Sequence, residues 1–267
     1  MDRLEQEREG TTMNQKFKNQ KETPEVAHKL LLAVTGKGGG GKSVTCTALV
    51  CALSKLNISY KAVDLDLSNS TFHRTAGAEL IECDGISGIG PALETIAVET
   101  LVHSNTQALV LDFGDGSINE LRRMCSKDDL VQVMMSCGVE TVVIHVFDPS
   151  LDCITNLIDT AEAAADATHL VLMNYGMTKT ANAEREFMAI TENREFQQMS
   201  RGMHIIVMPA QADLSLLDAQ GLRLCDIDTS THPLTRNPML MHRVRKWLEL
   251  LTNEFNERLQ LRSRTTS

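Results

Sequence analysis

From Leu30 onward the chain alternates short apolar runs with stretches whose apolar residues recur at helical spacing. Runs at residues 30–35, 59–64, 107–112, 141–147, 169–173 and 204–208 predict six β-strands. The first of them, Leu30 to Val34, is apolar at every position, which reads as a strand covered on both faces, as in a parallel sheet. After it, Cys46, Leu49, Val50, Leu53 and Leu56 fall at helical spacing and predict a helix. Leu151, Ile154, Leu157, Ile158 and Ala161 mark another helix, and a last one is predicted from about residue 238 to 260. Strands separated by helices imply an α/β fold with a parallel sheet and helices on both faces. Residues 1–27 are highly charged, carry Pro24 and have few apolar anchors, so a flexible tail is expected there, with 28–267 as a single domain.

Between the first strand and its helix lie Gly36, Lys37, Gly38, Gly39, Gly40, Gly41, Lys42 and Ser43, with Val44 following. This fits G-x-x-x-x-G-K-[ST], the phosphate-binding loop of P-loop nucleotide hydrolases. Glycines let successive backbone amides point into one concavity, the following helix aims its positive end at the phosphates, Lys42 neutralises charge, and Ser43 offers a hydroxyl to Mg²⁺. The third strand, Ala108 to Leu111, closes on Asp112, a second expected Mg²⁺ ligand at the end of an apolar run.

The second lysine of the loop, Lys37, resembles the signature of the ParA/MinD family of ATPases, KGGxGK[ST]. By that resemblance Lys37 reaches across a dimer interface to the phosphates of the partner's ATP, which implies an ATP-dependent homodimer. Val63-Asp64-Leu65-Asp66 is similar to the family's first switch segment: Asp66 would position the attacking water, with Asp64 closer to the metal. The stretch Asp112-Phe113-Gly114-Asp115-Gly116 resembles the second switch but lacks its prolines and adds the acid Asp115, which leaves two readings open, slow turnover or an Asp115 that swings outward to a partner. Asn174 at a strand end looks like the family's base-recognition residue, and Pro209 like the segment closing the other side of the base. The resemblance thus implies a slow, Mg²⁺-dependent ATPase switch, stimulated by a partner protein and positioning plasmid DNA or another cargo, as in partition, stability or StbB-like conjugation proteins. Catalytic roles fall to Lys37, Lys42 and Asp66.

The 26 basic against 35 acidic residues leave a net charge of −9, which excludes a generally basic nucleic-acid surface. Arg243, Arg245 and Lys246 beside Trp247 form one local cationic patch, the expected place for nonspecific DNA contact. No apolar segment approaches the length of a membrane span and no signal-peptide pattern opens the chain, so a cytoplasmic protein is expected. Seven cysteines without a C-x-x-C pair read as reduced thiols. Cys125 and Cys137 keep open a maturation factor carrying an iron-sulfur cluster, beside a small-molecule ligase or a regulatory adaptor with negligible turnover.

Overall fold

A computed structural model describes residues 28–114 and 116–261. The expected tail at 1–27 and the unusual acid Asp115 lie outside the described residues. In chain order the strands are β1 Lys29–Gly36, β2 Tyr60–Asp64, β3 Glu79–Leu80, β4 Ala108–Asp112, β5 Val139–Phe147, β6 Thr168–Asn174 and β7 His204–Met208. The helices are α1 Lys42–Lys55, α2 Thr71–Ala76, α3 Ile89–Ala97, α4 Ile118–Lys127, α5 Leu130–Ser136, α6 Asp152–Ala163, α7 Ala183–Thr191, α8 Arg194–Met199, α9 Asp213–Ala219 and α10 Pro238–Arg258.

All strand pairs are parallel, in the order β3-β2-β4-β1-β5-β6-β7. The six expected strands are present, and a seventh, β3, extends the β2 edge. With only two residues, both exposed, β3 has no apolar run for a sequence pattern to register. Helices cover both faces, which explains the uninterrupted apolar run of β1. Leu30, Leu32 and Val34 pack in a core with Leu49 and Leu53 of α1 and Val244, Leu248, Leu251 and Phe255 of α10. Leu31 and Ala33 pack on the other face with Leu93, Met124 and Met134. Full burial of each leucine contributes roughly 1.5–3 kcal/mol, so these two layers hold the loop after β1 on a rigid base. A third cluster, including Phe147, Leu157, Val171 and Phe187, lies under α6 to α8.

Helix α10 starts where the sequence pattern places it: Asn237 accepts from the amides of Met239 (3.1 Å) and Leu240 (3.2 Å), and Pro238 occupies the first turn. No helix among the described residues is long and apolar enough to cross a membrane.

The reading of every cysteine as a free thiol is corrected. Cys51 of α1 and Cys225 are joined in a disulfide with a Cα–Cα distance of 5.2 Å. The packing of the Leu224–Asp226 turn on α1 brings them together across 174 residues, a proximity that no local spacing records.

Candidate functional site

β1 sits between β4 and β5, and the chain turns to opposite sides of it, which opens a crevice at the carboxyl ends of the central strands. At that edge Val34, Asp112 and Asp64 are register neighbours across β1, β4 and β2. The glycine loop leaves β1 beside them and enters α1, whose first turn lines the same crevice. Gly41 has to be glycine for two reasons: its φ is +97°, and a β-carbon there would collide with the Asn174 side chain.

Lys42 is buried and its Nζ donates to the carbonyl of Lys37 at 3.0 Å. Ser43 Oγ donates to Asp112 Oδ2 at 2.6 Å, while Asp112 Oδ1 is buried with no hydrogen-bond partner. Burial pushes the Asp112 carboxyl up to about 6; Asp64 and Asp66 add to this, and Ser43 and Lys42 oppose it. A buried carboxylate oxygen left open beside a serine hydroxyl invites a hard divalent cation. Among the described residues no group of three or more His, Cys, Asp or Glu could hold a metal ion. Mg²⁺ needs no such group, because one or two protein oxygens plus water and phosphate complete its shell, so Ser43 and Asp112 fit it.

Asp66 lies just beyond β2 and lines a cleft of about 370 Å³ together with Gly38, Gly39, Lys42 and Ser43. Its Oδ1 accepts from the Ser68 amide (3.1 Å), the Ser68 hydroxyl (2.7 Å) and the Asn69 amide (3.2 Å), which fixes the carboxylate at the cleft wall. Gly114 permits this closeness, since a β-carbon there would come within 2.8 Å of Asp66 Cγ.

Three of the expected groups make contacts within the chain. Asp64, expected toward the metal, accepts at Oδ1 from the Asp66 amide (3.0 Å) and at Oδ2 from the His73 amide (2.9 Å). Its buried position at the very end of β2 makes it a tie for the loop into α2. Asn174, expected on the base, donates Nδ2 to the Gly40 carbonyl (2.9 Å) and accepts at Oδ1 from the Gly176 amide (2.9 Å). It therefore links the phosphate loop to the turn after β6. Of the cationic patch, Arg243 is bidentate on Asp213 (2.8 Å to each oxygen) and Arg245 pairs with Asp228 (2.7 Å), so two of the three cations are neutralised within the chain.

Lys37 is absent from the phosphate cleft. Its Nζ donates to Asp152 Oδ2 of α6 at 2.9 Å, a contact that holds its pKa above the usual lysine value. A second cleft of about 320 Å³ adjoins the loop, lined by Gly41, Val44, Asn174 and Pro209 and, beyond the sequence reading, by Met177, Leu214 and Trp247. The signal for Trp247 was its lone indole N–H inside an apolar stripe, which needs an acceptor; it finds Pro209 O at 2.8 Å. Asp152 had no comparable signal. Cys125 lies in the core, where burial pushes its thiol up to about 11, while Cys137 is exposed on the turn after α5.

The all-parallel sheet with its glycine loop and the Ser43–Asp112 pair define a P-loop nucleotide-binding protein. Residues 29–135, the stretch that holds the two-lysine loop, Asp66 and Asp112, match the family model of the ATPase MipZ. No curated protein matches the chain significantly. Among solved structures, the MinC:MinD cell division protein complex of Aquifex aeolicus is similar at 14% identity and a TM-score of 0.49, over 83% of this chain and 96% of that one. MinD of Aquifex aeolicus follows at 16% identity and 0.44, over 83% and 97%. A nucleotide-binding protein in complex with ADP from Archaeoglobus fulgidus gives 16% and 0.42, over 73% and 86%.

Proposed function

We propose that this chain binds and slowly hydrolyses ATP with Mg²⁺ and uses the nucleotide to switch between monomer and homodimer, so as to position plasmid DNA or another cargo with a stimulating partner protein. The division of labour between the two loop lysines carries this reading. Lys42 is buried under its own loop, whereas Lys37 is turned outward to the surface.

In this mechanism the loop amides and the first turn of α1 bind the phosphates, and Lys42 balances their charge. Ser43 and Asp112 would hold Mg²⁺, which supplies charge neutralisation between the phosphates when bound. Asp66, fixed by Ser68 and Asn69 at the cleft wall, orients the attacking water. Proton abstraction matters little here, since phosphoryl transfer depends mainly on orientation and on stabilising negative charge. Lys37 of each subunit supplies positive charge to the partner's site, so the dimer completes two sites at once. The cleft beside Asn174 and Pro209 takes the base.

The test is size-exclusion chromatography with light scattering in ATP, in ADP and without nucleotide. A mass that doubles only with ATP is expected. An unchanging mass in all three would eliminate the switch, and absent ATP binding by calorimetry would eliminate the nucleotide reading.

A further inference from the structure

Helix α10 touches the segment from Pro209 to Asp213 at two points one helical turn apart. Trp247 Nε1 donates to the Pro209 carbonyl at 2.8 Å. Four residues earlier, Arg243 places Nε on Asp213 Oδ2 and Nη2 on Asp213 Oδ1, both at 2.8 Å. Residues four apart lie on one helix face, so one face of α10 grips both ends of a five-residue segment. Pro209, Gln211 and Ala212 from that segment wall the second cleft, opposite Gly41 and Val44.

We infer that Arg243 and Trp247 are positioning residues that brace the Pro209–Asp213 wall for the adenine ring of ATP. This rests on the nucleotide reading above. Within the wall itself the Asp213 amide donates to Gln211 Oε1 at 3.2 Å. Its chain follows edge strand β7, and only the short helix α9 continues it. Asn174, whose amide is committed to Gly40 and Gly176, holds the loop side of the cleft, while α10 ties the wall formed by Pro209 to Asp213. The two contacts differ in kind and complement each other. A bidentate guanidinium–carboxylate pair fixes orientation as well as distance. The buried indole adds a flat apolar surface to the cleft, which suits a purine. Arg243 therefore has a use that needs no nucleic acid.

The experiment measures binding of Mg·ATP and of magnesium tripolyphosphate, which lacks the base, to wild type, Trp247→Phe and Arg243→Gln. Thermal unfolding confirms that each variant is folded. Loss of one such contact is expected to weaken ATP binding about 3- to 10-fold. Tripolyphosphate affinity should stay within about twofold, because the phosphate loop lies on the other side of the cleft. Variants whose preference for ATP over tripolyphosphate matches wild type overturn the brace while leaving the nucleotide reading intact. Equal loss for both ligands overturns it too, as that is the mark of general structural damage. Wild-type protein that binds neither ligand overturns both readings.

Discussion

Lys37 Nζ and Asp152 Oδ2 stand 2.9 Å apart, pairing the phosphate loop with the first residue of α6. The pair keeps the lysine out of the cleft made by its own loop. Both side chains are open to solvent, 43% and 73% exposed, so screening leaves the contact weak and easily exchanged for a phosphate. An exposed lysine held beside the cleft, on a rigid strand end, suits delivery to another subunit.

Removing the two lysines separately should give different defects. Lys42→Ala takes a charge from the phosphates and is expected to weaken ATP binding 10- to 100-fold, the scale of a lost charge-assisted contact. Lys37→Ala should bind ATP nearly as wild type yet neither dimerise on it nor hydrolyse it efficiently. Asp66→Ala should bind ATP and accumulate as a dimer. Calorimetry, light scattering and phosphate release separate the three, and a Lys37→Ala protein that dimerises and turns over normally would refute the trans role.

Asp152→Asn removes the charge that retains Lys37 in the monomer. ATP-driven dimerisation is then expected at a two- to fivefold lower midpoint concentration of protein, with ATP affinity of the monomer unchanged. Concentration series by light scattering read this directly. A midpoint equal to that of wild type would show that the ion pair plays no part in the switch.

The Cys51–Cys225 disulfide closes a loop spanning 174 residues. Chain-entropy reasoning puts its contribution at up to about 5 kcal/mol for a loop of this length. Reductant, or the Cys225→Ser variant, should therefore lower the melting temperature by several degrees. Alkylation under denaturing, non-reducing conditions should label five of the seven cysteines; seven labelled would contradict the pairing.

Acid should destabilise the sheet through a histidine pair. His169 Nε2 lies 3.0 Å from the Ala164 carbonyl, which can only accept, so its Nδ1 is the acceptor for His145 Nε2, also at 3.0 Å. Both rings are neutral in this arrangement. Burial, then His169 and the Arg122 guanidinium, hold the pKa of His145 well below the usual histidine value, and burial lowers that of His169. The unfolded chain then binds more protons below about pH 6.5, so stability present above that pH is lost as pH falls, by up to about 1.4 kcal/mol per unit for His145. Asp112 works in the opposite sense between about 6 and 4, since its raised value favours the folded state on acidification. The comparison is therefore wild type against His145→Gln by urea unfolding at pH 7, 6 and 5.5. Equal losses in the two proteins would remove the histidine pair from the account.

The sequence by itself determined the parts that are contiguous in the chain. An unbroken apolar run, a glycine loop with two lysines and an apolar run ending in Asp112 each state their structure within about ten residues, because strand, turn and helix preferences are local. Six of the seven strands among the described residues followed from such runs. What faces what was decided by the tertiary structure alone. The strand order brings Lys37 to Asp152 across 115 positions, turns Asn174 onto Gly40 across 134, and sets Arg243 on Asp213 across 30. The D-x-D spacing put Asp64 beside Asp66 at the end of β2, but only the turn into α2 decided that its oxygens also accept from the Asp66 and His73 amides. A side chain's partner depends on the direction of elements packed from distant parts of the chain, and local patterning carries no information on that direction.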